Sequence, residues 1–139
     1  MKKKILRWRI ALCTLLFLGY YANSFAIDYY WIGTGGNTNW SIPGNWAKTS
    51  GAAVSDVSFP PSINDNVIFD ENSFTTTRKT VTVDAASTCD SIIFRNIPAG
   101  ITPSLTLSAD LTVRGSVLLW PGMGIGASGT GQSSIQKFM

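Results

Sequence analysis

The sequence predicts an all-β protein: a parallel β-helix, or β-solenoid, with an aromatic-rich N-terminal cap, preceded by a signal peptide. Three observations lead there. Residues 27–139 contain a single Glu (Glu71), twelve Gly, six Pro, fourteen Ser and thirteen Thr, a composition that penalises helix and suits short strands joined by tight turns. From Leu105 onward an alternation of period two is unbroken, with Leu105, Leu107, Ala109, Leu111, Val113, Gly115, Val117 and Leu119 on one face. A six-residue period lies over it: LTLSAD, LTVRGS, VLLWPG, MGIGAS, GTGQSS, IQKFM. The first and third positions are apolar in four blocks, and the fifth is small or Pro (Ala109, Gly115, Pro121, Ala127, Ser133). A few residues of strand followed by a bend, repeated, is what a solenoid requires. The fifth block departs from the pattern by turning Gly129 and Gly131 inward. A β-sandwich or meander of short strands is the competing architecture.

Taken in chain order, residues 1–9 are cationic, residues 10–22 are almost wholly apolar, and Ser24-Phe25-Ala26 ends the segment with small residues. This is the pattern of a secretory signal peptide at 1–26, cleaved after Ala26. Thirteen apolar residues rise only about 20 Å as a helix, short of a hydrocarbon core of roughly 30 Å, so no transmembrane segment is expected after cleavage. The address is secreted, extracellular or outer cell surface.

Five of the eleven Lys and Arg residues lie in that leader, and all eight acids lie after it. The remainder is mildly acidic, which argues against nucleic acid, because displacing phosphate counterions needs clustered cations. The absence of His removes the commonest general base and metal ligand. After Cys13, Cys89 is the one thiol left. It has no basic neighbour and reads as a buried small hydrophobe, in a domain without a disulfide framework.

Residues 27–62, rich in Trp, Gly and Asn and ending in Pro60-Pro61, read as the cap. Residues 63–139 read as solenoid rungs, with strands at 66–70, 80–84 and 91–94 and in the stretch from Leu105. Tyr29–Ile32 reads as a strand joining the core. Trp31, Trp40 and Trp46 have two uses. They are candidates for a carbohydrate platform, since sugar rings stack on flat apolar faces. The favoured use is to plug the first rung, which would otherwise expose apolar side chains to water. A plug needs bulky residues early in the chain, where these stand, and the intervening Gly and Asn permit the positive-φ turns that fold a chain back.

Tyr30-Trp31-Ile32-Gly33, Asn39-Trp40-Ser41, Pro43 and Asn45-Trp46, then Pro61 and Asn64-Asp65-Asn66-Val67-Ile68-Phe69-Asp70-Glu71-Asn72-Ser73-Phe74, carry a resemblance. The sequence resembles the N-terminal part of large secreted bacterial surface proteins, adhesin-like or associated with gliding or type IX secretion. Those proteins show Trp-Gly-x-Gly-Asn-Trp-Ser-x-x-x-Asn-Trp, then a Pro and Asn-Asp-x-Val-x-Phe-Asp, then Leu-Thr-Leu or Leu-Thr-Val strands of a parallel β-helix. The resemblance covers residues 29–135. It implies a scaffold or adhesin whose partners are surface glycans or other surface proteins. Such proteins run to many hundreds of residues, so it also implies an N-terminal fragment stopped inside a further rung, with self-association through the edge left open.

The remaining motifs say less. Asp65 and Asp70, with their Asn neighbours, are candidate calcium ligands. They lack EF-hand spacing and would face opposite sides of a strand, and Asx turns at both ends of a strand are the preferred explanation. No other cofactor is expected. Ser91, in Asp90-Ser91-Ile92, resembles a short bacterial O-glycosylation motif. Gly124-Ile125-Gly126-Ala127-Ser128-Gly129 matches a dinucleotide-binding pattern, but no helix-forming run comes after it. No catalytic constellation stands out, so the chain is expected not to be an enzyme. The front end of a polysaccharide lyase, a hydrolase or a carbohydrate-binding β-helix is the alternative.

Overall fold

The computed structural model describes residues 26–127 and 135–137. Residues 1–25 of the expected leader and the fifth six-residue block, 129–134, lie outside them. The described chain is all-β with almost no helix. In order, its strands are β1 (Asp28–Trp31), β2 (Trp46–Ala47), β3 (Asn66–Phe69), β4 (Thr80–Val83), β5 (Ser87–Cys89) and β6 (Ser91–Phe94). They continue with β7 (Ser104–Leu107), β8 (Leu111–Val113), β9 (Val117–Leu118), β10 (Gly124–Ala127) and β11 (Ile135–Lys137). A 3-10 turn at Pro43–Asn45 precedes β2.

From β3 to β8 each strand pairs in parallel with the strand three places later. One sheet runs β2-β1-β3-β6-β9, the second β4-β7-β10 and the third β5-β8-β11, and only β1 with β2 is antiparallel. The registers stack like on like. Val67 meets Ile92 and Phe69 meets Phe94; Val81 meets Leu105, which meets Ile125; Cys89 meets Val113. Inward-pointing residues of all three sheets share one core of Val67, Phe69, Val81, Val83, Cys89, Ile92, Phe94, Leu105, Leu107, Leu111 and Val113. The alternation is thus a consequence of the pleat: odd positions of β7 and β8 are buried, and Thr106 and Thr112 between them are half-buried.

The six-residue period has a specific meaning here. Successive blocks do not pair with each other, because Leu105, Leu111 and Val117 belong to three different sheets. Stacking instead obeys a longer repeat. Asn66 pairs with Ser91, 25 positions on, and Thr80 pairs with Ser104, 24 positions on. Bends at 108–109 and 114–115 preserve parity, so the alternation runs across two corners without interruption.

One inward assignment needs correction. Val117 is half-buried and packs against the core, but Leu119 is 42% exposed. β9 stops at Leu118, and among the described residues no strand lies beyond it to cover Leu119. β5 and β2 are short strands that periodicity did not mark.

Candidate functional site

The densest chemistry lies where the N-terminal segment meets β3 and β4. Trp31 ends β1, Trp46 opens β2 and Trp40 lies in the loop between them. All three are buried. Trp31 and Trp40 each meet Trp46 edge-to-face, with centroids 4.9 and 4.8 Å apart, and all three approach Phe69 at 6.1–6.4 Å. Phe69 continues the column by stacking on Phe94 at 4.4 Å and on Phe74 at 5.6 Å. Trp46 Nε1 donates to the Trp40 carbonyl at 2.7 Å, whereas the Nε1 atoms of Trp31 and Trp40 have no hydrogen-bond partner. An unpaired buried donor costs about 1–3 kcal/mol. Burying an indole recovers more than that, which is why the rings stay inside. The alternative carbohydrate platform would need an exposed ring, and none of the three is exposed.

The loop holding these rings is organised by Asn45, a buried polar residue with every side-chain need met. Its Oδ1 accepts from Gly35 N at 2.8 Å, and its Nδ2 donates to Asn39 O at 2.8 Å and to Asn37 Oδ1 at 3.2 Å. Its carbonyl accepts from Ile32 N and Gly33 N. Gly33 and Gly36 adopt φ of +58° and +81°, which L side chains rarely allow, and so reverse the chain around that amide.

The segment is then fastened to β4 and its flank. Asn39 bridges Thr82 in parallel, with Trp40 N donating to Thr82 O and Thr82 N donating to Thr38 O, both at 2.7 Å. Beyond β4, Asp84 accepts from Ser41 N at 3.0 Å and from Ser41 Oγ at 2.5 Å. Burial alone would raise the Asp84 carboxyl, but the bonds from Ser41 and nearby backbone amides outweigh it and hold the group below its ordinary value. Sequence reading had no way to single out Asp84, since its partner lies 43 residues away.

The other expected site residues already have hydrogen-bond partners. Asp65 is buried before β3, where its Oδ2 accepts from Ser62 N and Ser62 Oγ and its Oδ1 from Ile27 N. Asp70 is buried after β3, where its Oδ1 accepts from Asn72 N and Ser73 Oγ. The two carboxylates each close a turn at opposite ends of one strand. Among the described residues no three His, Cys, Asp or Glu side chains gather as a metal group. Ser91 Oγ donates to Asp90 Oδ2 and accepts from Ser116 N. It lies so close to Gly115 that a Cβ there would stand 2.5 Å from it. The Ser91 hydroxyl, a candidate glycan carrier, is half-buried and already engaged with Asp90 and Ser116.

Cys89 is fully buried, and burial first, then the charges of Asp90 and Asp65, push its thiol up to about 12. It is a packing residue in the core. The outward positions Ser108, Arg114 and Ser116 are exposed, with Thr106 and Thr112 half-buried beside them. Among the described residues no helix is long and apolar enough to cross a membrane. No family model, no curated protein and no solved structure matches the chain.

Proposed function

We propose that this chain is a non-enzymatic scaffold or adhesin module of a secreted or cell-surface β-helix protein. The reading takes residues 1–26 as its export signal, 27–62 as its cap and 63–139 as its coiled rungs. The observation that carries it is the pairing of every strand from β3 to β8 with the strand three places later, around one shared core. A chain that visits three sheets in turn and then returns to the first follows the path a coil would take, and this return supports reading its outer faces as a scaffold. On those faces Thr82 and Thr106 stand in register, as do Thr88 and Thr112, giving short polar rows suited to repetitive contact with a surface partner. The three indoles lie against Phe69, at the start of that core, and support a capping role. The resemblance of the Trp and Asn motifs to bacterial surface proteins supports the same assignment.

Export tests the proposal directly. Expressed in a Gram-negative host, the chain should appear outside the cytoplasm with Ile27 as its new N-terminus, and intact cells should be labelled by an antibody to residues 105–119. A cytoplasmic product that keeps its first 26 residues would overturn it. New reducing ends released from polysaccharide by the purified protein would favour the lyase or hydrolase alternative.

A further inference from the structure

We infer that cutting the chain between Ala26 and Ile27 gives the buried Asp65 carboxylate a cationic partner, the freed α-ammonium of Ile27. The inference rests on the export reading of residues 1–26 and adds a structural consequence of removing them.

Asp65 is 7% exposed, and among the described residues no Lys or Arg pairs with it. Its two oxygens are unequally served. Oδ2 accepts from Ser62 N at 2.9 Å and from Ser62 Oγ at 2.6 Å. Oδ1 has one donor, the peptide N–H of Ile27, and that contact is 3.4 Å long. Peptide donors usually stand about 2.7–3.2 Å from their acceptors, so this one is weak. A buried carboxylate is costly unless it is paired, and Asp65 lacks a counter-charge.

Both residues are already held in place. Asn66 N donates to the Ile27 carbonyl at 2.9 Å, and Asp28 lies opposite Asn66 in the register of β1 with β3. Asp65 N donates to the Ser62 carbonyl at 2.9 Å, and the Asp65 carbonyl accepts from Asp90 N at 2.8 Å. Neither side has to travel for the two to meet. Ala26 and Ile27 are exposed, and every described strand begins after them, so the cut removes no strand.

The cut changes the chemistry of one nitrogen. Water adds across the Ala26–Ile27 peptide bond, leaving a carboxylate on Ala26 and an amine on Ile27 that is largely protonated at pH 7. A single N–H fixed in a planar peptide becomes three on a group free to turn about its N–Cα bond. Charge-assisted bonds of this type close to about 2.7–2.9 Å, a movement of roughly half an ångström from the present contact. The extra bond exists only after the leader is gone, so removing the leader strengthens the fold it leaves behind.

Thermal melts at pH 7 test the pair on two chains released from a cleavable fusion, one beginning at Ile27 and one at Ala26. The Ile27 chain should melt about 5 °C higher, because the added residue turns the ammonium back into a peptide N–H. In an Asp65→Asn background the gap should vanish. Selective acetylation of the Ile27 α-amine, confirmed by mass, gives a second answer with Asp65 intact: melting should fall to that of the Ala26 chain. Equal melting of the two chains, a gap that survives Asp65→Asn, or an acetylated chain that melts like the free one would each overturn the inference. The terminus of the exported product is a separate measurement. A terminus other than Ile27 there counts against the export signal, whereas the melts decide the pair.

Discussion

Asn45 and Asp84 show how single polar side chains hold the N-terminal segment in place. Replacing Asn45 with Ala removes three side-chain hydrogen bonds and strands the half-buried Gly35 N–H and Asn39 carbonyl. A loss of about 2–4 kcal/mol in urea unfolding is expected, near the upper end of such deletions. Asp84 couples the fold to pH. Its folded carboxyl lies below the unfolded value, so its contribution is fully present above about pH 4 and is lost as pH falls through the lower, folded value. Asp84→Asn should therefore lower stability at pH 7 and flatten the loss below pH 4, as measured by thermal melts across that range. Cys89 should ignore a thiol reagent at pH 8 in the folded protein and react at once in denaturant. Rapid native labelling would show that the thiol is not where the packing puts it.

At the scale of elements, inward and outward positions of one strand should differ sharply. Leu111 is fully buried in β8, and Thr112 next to it faces outward. Leu111→Ala should cost about 2–4 kcal/mol and Thr112→Ala well under 1 kcal/mol, read from the urea midpoint at constant slope. Equal costs would contradict the observed pleat. This contrast was legible in the sequence, because alternation depends only on where adjacent side chains point. So were the positions of β3, β4, β6 and β7, each a β-branched or apolar run between turn residues. β5 was not, because Ser87-Thr88-Cys89 has a single apolar side chain and becomes a strand only through pairing with Leu111–Val113. Leu119 was misplaced for the related reason that alternation continues past the point where a covering strand ends.

Considered whole, the molecule should unfold as one unit, although its N-terminal and later residues differ in composition. The indoles pack on Phe69, which stacks on Phe94, so the loop and the sheets share a single core. Tryptophan emission and far-ultraviolet circular dichroism should give coincident transitions, and Trp40→Ala should shift both together by the roughly 3–5 kcal/mol of a lost buried ring. An emission change that precedes the loss of sheet would show that residues 27–62 melt separately.

By itself the sequence determined that the chain is all-β, that its strands are short, and which face of each regular strand is apolar. These properties arise from neighbouring residues: turn chemistry, β-branching and a period of two. Only the tertiary structure decided that parallel strands from β3 onward pair across 20 to 25 residues, that Phe69 is the ring on which the three indoles meet, and that Asp65 also binds Ile27 N, 38 residues away. It also decided that Ser41 is the partner of Asp84. Those outcomes depend on which segments meet in space. Loop lengths and shared burial settle that, and neither leaves a local mark on the residues that come together.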